Sequence, residues 1–373
     1  MKFVVVVGAR PQFVKAAVFS RAISERNDKH PENKVDEVIV HTGQHFDAAM
    51  SDSFFKDLSI PEPKYHLGLA SLSHGAMTGR MIESIETVLV RESPDCVVVF
   101  GDTNSTLAAA ISASKLHIPI AHIESGLRSN NQFMPEEINR ILTDRISTFL
   151  FCSSSESIKN LEAEGYPMQM HGRQQSLYNF GDVMFDVVRL HKERSIARYP
   201  VSELGLSKNK YVLVTLHRPH LTDSLKNLAS AFEALRVIAK EITVVIPLHP
   251  RVKAILDKNN LQCLLSGLMI FDPLPYEQMQ SLLSSCHAVL TDSGGLQKEA
   301  MWHGKPCLTL REDTEWVETV SSGWNRLVGV NKEKILEGWS ALERPESLDN
   351  SIYGNGNAAE LIVGTLVQRF SNH

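Results

Sequence analysis

Cysteine is sparse in this 373-residue chain: Cys96, Cys152, Cys263, Cys286 and Cys307 are odd in number, widely spaced and set in apolar runs, with no C-x-x-C among them. That pattern excludes a disulfide scaffold and predicts a reduced, cytoplasmic chain. No run of about 18 uninterrupted apolar residues occurs, so no segment is predicted to span a bilayer. The chain starts Met1-Lys2-Phe3-Val4 and runs straight into an apolar segment, without a charged leader or a small-residue cleavage site ahead of it. An excess of positive charge is also missing. The 38 basic and 43 acidic residues give −5, which leaves no basic footprint for nucleic acid or an anionic membrane. H-E-x-x-H, G-x-S-x-G, G-x-G-x-x-G and a Walker lysine are all absent, which removes the usual metal, nucleophile and dinucleotide signatures. A small-molecule role remains.

At roughly 150 residues per domain the length predicts two domains. Short Val- and Ile-rich runs alternate with longer segments of helical period, the pattern of buried parallel strands with crossover helices. Strands are expected at Phe3–Val7, Glu37–His41, Cys96–Phe100, Ile118–Ile123 and Phe149–Cys152, then at Tyr211–Leu216, Thr243–Leu248, Met269–Phe271, Ala288–Leu290 and Pro306–Leu310. The predicted class is α/β, with two Rossmann-like doubly wound domains facing across a cleft. Turn formers and polar residues between Gly165 and Gln175 put the boundary near 170, giving an N-terminal domain 1–170 and a second domain 171–352. Residues 353–373 follow as a separate tail, within which Asn357–Phe370 reads as an amphipathic helix.

Ligands of doubly wound sheets bind beyond the carboxyl ends of the strands, and those positions are unusually polar here. The first strand leads into Gly8-Ala9-Arg10-Pro11-Gln12-Phe13-Val14-Lys15, a turn into a helix whose N-terminus, with Arg10 and Lys15, can receive phosphate. A plain strand-to-helix turn with solvated cations fits the same residues. Asp102, in Gly101-Asp102-Thr103, suits a helix cap or an acid. Glu124, at the end of the nearly all-apolar run His122-Ile123-Glu124, is harder to dismiss, because a buried carboxylate needs a partner. Glu136 and Glu137 follow Pro135 at a helix start, where acids are favoured and adjacent side chains point apart. Convergence of Asp102, Glu124 and Glu136 near one edge would allow an acid and a base.

In the second half, His217-Arg218-Pro219-His220 and His249-Pro250-Arg251 place histidines at equivalent strand ends, which favours a ligand role. Asp292-Ser293-Gly294-Gly295 opens a helix with bare backbone N–H groups suited to a diphosphate, and Glu299 lies one turn further on, where it can accept from ribose hydroxyls. Carboxylates on one domain and diphosphate contacts on the other suit nucleotide-sugar chemistry.

Taken in order, Gly8–Lys15, Gly101-Asp102-Thr103, His122-Ile123-Glu124-Ser125-Gly126-Leu127-Arg128, Pro135-Glu136-Glu137-Ile138-Asn139-Arg140, His217-Arg218 and Asp292-Ser293-Gly294-Gly295 resemble the non-hydrolysing UDP-N-acetylglucosamine 2-epimerase family over nearly the whole chain. The resemblance implies a glycosyltransferase-B type fold whose C-terminal helix crosses back to the first domain. It also implies C2 epimerisation of a UDP-2-acetamido sugar by loss of UDP to a 2-acetamidoglucal and re-addition, for surface polysaccharide precursors. Carried across position by position, it makes Asp102, Glu124, Glu136 and His217 catalytic. Arg10, Lys15, Leu274, Met279, Ser293, Gly294, Gly295 and Glu299 would bind the nucleotide, with no cofactor or metal and a homodimer as the expected assembly.

The family's G-T-R-P-E start is Gly8-Ala9-Arg10-Pro11-Gln12 here, and Gln44-His45 is followed by Phe46-Asp47 rather than the arginine of members regulated by a second substrate molecule. These departures, with Thr314-Glu315-Trp316-Val317-Glu318, resemble the branch acting on UDP-2,3-diacetamido-2,3-dideoxy-glucuronate, for whose C6 carboxylate Arg128 and Arg251 are candidate partners. A hydrolysing 2-epimerase and a glycosyltransferase of the same fold stay open as alternatives.

Overall fold

The computed structural model of the protein describes residues 1–44, 60–170, 173–347 and 349–371. It divides into two units, Met1–Val187 with Ser351–His373, and Val188–Asn350.

The first unit carries strands β1 (Lys2–Val7), β2 (Asp36–His41), β3 (Tyr65–His66), β4 (Cys96–Phe100), β5 (Ile120–Ser125) and β6 (Phe149–Cys152), a short hairpin of β7 (Gln169–Met170) and β8 (Arg173–Gln174), and β9 (Ser176–Asn179). Its main sheet has the order β3-β2-β1-β4-β5-β6-β9, parallel throughout. Both faces are covered by helices α1 (Arg10–Lys29), α2 (His74–Glu92), α3 (Asn104–Lys115), α4 (Pro135–Ile146) and α5 (Ser155–Ala163), so the strands are apolar without alternation, as in the fully buried Phe3–Val7. Pro11 and Pro135 open α1 and α4, where a missing N–H costs nothing, and Thr103 and Ser154 cap α3 and α5 by accepting from Thr106 N–H and Ser157 N–H.

The second unit repeats the plan with β10 (Tyr211–Thr215), β11 (Thr243–Pro247), β12 (Met269–Phe271), β13 (Ala288–Thr291), β14 (Cys307–Thr309) and β15 (Asn325–Leu327), ordered β12-β11-β10-β13-β14-β15 and again all parallel. Val212, Val214, Val244 and Ile246 pack on Leu228, Phe232 and Leu235 of a flanking helix. In each sheet the strand order reverses once, between β1 and β4 and between β10 and β13, and it is outside such switch points that doubly wound folds bind ligands.

The division corrects the expected boundary at 170. Strand β9 pairs with β6 from Phe149↔Ser176 to Cys152↔Asn179, so the residues after 170 complete the first sheet, and the division falls inside helix α6 (Val183–Arg198). The last helix of the chain belongs to the first unit too. It spans Ala358–Ser371 and buries Ile362, Val363, Leu366 and Val367. Its first N–H groups, on Ala358 and Ala359, donate to the Asp186 carboxylate at 3.1 and 2.7 Å, and Phe370 packs edge-on against Phe3 and Phe149.

Where these two stretches meet, backbone lies on backbone. Gly181 has φ +92°, and a Cβ there would sit 2.3 Å from the Tyr353 carbonyl oxygen, while Asp182 N–H donates to that same oxygen at 2.9 Å. Gly181→Ala is expected to destabilise the protein by about 2 kcal/mol or more through a left-handed non-glycine residue and this clash, which equilibrium urea unfolding will measure.

Candidate active site

At the switch point of the first sheet, β5 ends in a bulge: its register with β6 shifts between Ile123 and Ser125, and Glu124 between them takes φ +70°. A β-bulge re-aims a side chain at the cost of local strain, and here it turns the Glu124 carboxylate onto Lys15, whose Nζ is 2.7 Å from Oε2. Both side chains are largely buried, and Gly101 lies against them; a Cβ at Gly101 would stand 3.1 Å from Glu124 Oε1 and 3.5 Å from Lys15 Nζ.

Asp102 faces the same pair. Arg140 donates to its Oδ2 from Nε at 3.0 Å and Nη2 at 2.7 Å, and Asn139 donates to its carbonyl. Desolvation pushes the Asp102 carboxyl above the usual aspartate range; Arg140 pulls it down and the Glu124 charge adds to the rise, while the outer edge of the side chain stays open to solvent.

The adjacent acids of α4 take separate roles. Glu137 is buried, accepts from the backbone N–H groups of Ser129 and Asn130, and pairs with Arg140 at 2.5 Å. Glu136 is only half-buried and lies one turn before Asn139 and Arg140, on the helix face that meets Asp102. The first unit therefore brings Lys15, Asp102 and Glu124 together, with Glu136 on the adjoining helix. Arg140, a member of the quoted motif but not among the expected site residues, holds Asp102. Its signal was the Glu137–Arg140 spacing of one helical turn.

The loop ahead of α1 is tied down from within the unit. Gln12 Oε1 accepts the N–H groups of Gly8 and Ala9 at 2.8 and 3.1 Å, and Gln12 Nε2 donates to Phe100 O, Thr103 Oγ1 and Thr106 Oγ1. Lys15 is not solvated but paired. The Arg10 side chain and His45, Phe46 and Asp47 lie outside the described residues. Of the two arginines considered for a C6 carboxylate, Arg128 is buried between Asp144 and Glu164, and Arg251 forms an exposed pair with Asp223 at 2.5 Å.

At the switch point of the second sheet the hub is Asp292, fully buried. Its Oδ2 accepts the backbone N–H groups of His217 and Arg218, both at 2.8 Å, and its Oδ1 lies 3.1 Å from His217 Nδ1. Burial alone would raise this carboxyl, but the His217 ring and the two N–H groups hold it below the ordinary aspartate range. The His217 ring stays partly open and stacks on His249 with centroids 5.6 Å apart. His249 caps its own helix by accepting Arg251 N–H, and His220 donates to the Leu310 carbonyl.

Ser293 directs its N–H to Thr291 Oγ1 at 2.9 Å and does not cap with its hydroxyl. Gly294 and Gly295 follow as the first residues of the helix Gly294–Trp302, whose first-turn N–H groups have no partner within the helix. Glu315, paired with Arg311 at 2.9 Å, lies close beside Gly294. Glu299 is buried on the same helix and accepts from Gln280. Leu274 and Met279 are half-buried against Leu282, Leu283 and Leu296. No group of three or more His, Cys, Asp or Glu side chains suited to a metal ion occurs among the described residues.

Two doubly wound sheets, each with charged or backbone-donor clusters at its switch point, define a two-domain protein of the nucleotide-binding Rossmann type. The family model described as UDP-N-acetylglucosamine 2-epimerase matches residues 27–367. A UDP-2,3-diacetamido-2,3-dideoxy-D-glucuronate 2-epimerase of Pseudomonas aeruginosa is 46% identical over 371 residues, covering 99% of this chain and 100% of the relative. A UDP-N-acetylglucosamine 2-epimerase of Methanocaldococcus jannaschii is 37% identical over 377 residues, covering 98% and 99%. The crystal structure of a UDP-GlcNAc 2-epimerase of that organism in complex with UDP-GlcNAc and UDP matches with a TM-score of 0.87 at 36% identity, covering 99% of this chain and 100% of the other. The chain belongs to the UDP-N-acetylglucosamine 2-epimerase family, and is an isomerase. Among the described residues no helix is long and apolar enough to cross a membrane.

The two acids of α4 are separable by substitution. Glu137→Gln is expected to cost about 2–3 kcal/mol, because buried donors lose a charged acceptor, whereas Glu136→Gln should stay within about 0.5 kcal/mol of the parent. Burial would raise the Glu137 carboxyl, but the Ser129 N–H and Arg140 hold it below the usual glutamate range. Its stabilisation is therefore complete above the unfolded-state value of about 4.3 and is lost as pH falls through the folded-state value. Urea unfolding between pH 3 and 7 should show a shallower acid slope for Glu137→Gln alone.

Proposed function

We propose that this chain epimerises a UDP-2-acetamido sugar at C2 without hydrolysing it, and that UDP-2,3-diacetamido-2,3-dideoxy-D-glucuronate is preferred over UDP-N-acetylglucosamine. The observation that carries the reaction is the pairing of Lys15–Glu124 with Arg140–Asp102 at the first switch point, in a chain of this family. The substrate preference rests on 46% identity to the diacetamido-glucuronate enzyme against 37% to the Methanocaldococcus enzyme.

The hydrogen on C2 is not next to a carbonyl, so it is not acidic enough for simple deprotonation and return. Loss of UDP solves this. A carboxylate takes the C2 proton while the C1–O bond to the diphosphate breaks, and the electron pair of the C–H bond becomes the C1–C2 double bond of a glycal. Proton return to the opposite face of C2, with diphosphate oxygen re-forming the C1–O bond, gives the manno epimer. Asp102, Glu124 and Glu136 supply the proton-transfer groups in this reading, and ion pairs with Arg140 and Lys15 hold Asp102 and Glu124 in place. His217, braced by Asp292, and the N–H groups of Gly294 and Gly295 would meet the departing UDP, where a helix N-terminus and fixed dipoles stabilise the charge that develops.

Incubation with each UDP-sugar in D2O should place deuterium at C2 as the manno epimer accumulates, faster with the diacetamido-glucuronate. Absence of exchange with both substrates would overturn the reading, and release of UDP with free sugar would make the enzyme a hydrolysing one. Glu124→Gln and Glu136→Gln should each slow exchange by about 10²–10⁴ while UDP still binds, as read by calorimetry.

A further inference from the structure

Asp144, near the end of α4, takes no part in the reaction just described, yet its side chain is wholly buried. Its Oδ1 lies 2.7 Å from His122 Nδ1, and its Oδ2 accepts Gly126 N–H at 3.1 Å and Arg128 Nη1 at 2.8 Å. The other ring nitrogen of His122 is 2.8 Å from the Gly101 carbonyl, which can only accept, so Nε2 carries a hydrogen and donates it. Arg128 is itself fixed by a two-pronged contact with Glu164 at 2.6 and 2.9 Å.

The ends of this network are two backbone points. Gly101 immediately precedes Asp102, and Gly126 lies just beyond the bulge that carries Glu124. One carboxylate therefore ties together, through one ring and one N–H, the loops that bear both acids. We propose that Asp144 is a positioning residue for the epimerisation, setting the separation of Asp102 and Glu124 without touching the substrate. This rests on the assignment of those two carboxylates to proton transfer.

A role in stability alone explains the arrangement less well. A buried charged network is often no more stabilising than apolar packing of the same volume, and this one directs its hydrogen bonds to the two loops of the site. Misplacement of a reacting group by about 1 Å costs roughly a hundredfold in rate.

The test compares two substitutions. Asp144→Ala removes all three contacts. Asp144→Asn can keep them, its amide N–H₂ donating to an unprotonated His122 Nδ1 and its oxygen accepting from Gly126 and Arg128. The readouts are UDP-binding stoichiometry by calorimetry and C2 deuterium exchange per UDP-binding site. Asp144→Ala is expected to bind one UDP per chain with unchanged affinity and to exchange about a hundredfold more slowly, with Asp144→Asn recovering most of that loss.

Exchange per binding site equal to the parent in Asp144→Ala would overturn the proposal, since a merely structural residue lowers the stoichiometry and not the rate per site. Equal loss in both variants would overturn it too, because charge rather than position would then be at work. If Asp144→Ala fails to fold, His122→Asn decides: it keeps a donor to Asp144 but cannot reach the Gly101 carbonyl, and it should lose at least tenfold, whereas a parental rate would refute the proposal. Absence of exchange in the unmodified protein would instead refute the assignment of function.

Discussion

Charge placed at the carboxyl edge of a sheet buried on both faces must find a partner, and much of the first unit's site follows from that constraint. The strands bring apolar residues up to the edge, and the acids appear where the apolar runs stop. Each acid buried there has a cation or a set of N–H groups: Lys15 for Glu124, Arg140 for Asp102 and Glu137, and His122 with Arg128 for Asp144. Glu136, half in solvent, is the acid for which burial does not demand such a partner.

The second unit meets a different requirement with a different device. At its edge the buried Asp292 is tied to His217 and Arg218, and the helix beside it opens at Gly294 and Gly295 with first-turn N–H groups that have no partner within the helix. Such donors need no side-chain counter-charge and lose little on reorganisation. The internal duplication of the fold thus carries two kinds of cluster at its sheet edges, one of paired carboxylates and one of backbone amides.

The sequence disclosed the interior more readily than the pairings. The ten runs read as strands are strands, since a segment buried on both faces has to be apolar along its whole length. Ser176–Asn179 was missed because an edge strand has no such need and its polar residues read as a linker, which moved the boundary to 170. The carboxylates at the strand ends were legible because a charge after an apolar run is conspicuous. Their partners were not. Arg140 reaches Asp102 across 38 residues of sequence, and Asp144 reaches His122 across 22. Gln12 was visible as a departure from the family's glutamate, but its meaning needed the fold: an amide can accept from Gly8 and Ala9 and also donate to the Phe100 carbonyl, which a carboxylate cannot.

The first unit is assembled from both ends of the chain, with residues 351–373 supplying Ile362, Val363 and Leu366 to its interior. A ribosome that has released residues 1–187 has therefore not yet made all of that unit, whereas 188–350 is contiguous and complete in itself. The order of synthesis is inverted in the order of completion. The domain made first waits, its apolar surface beside Phe3 and Phe149 uncovered, until the last helix arrives.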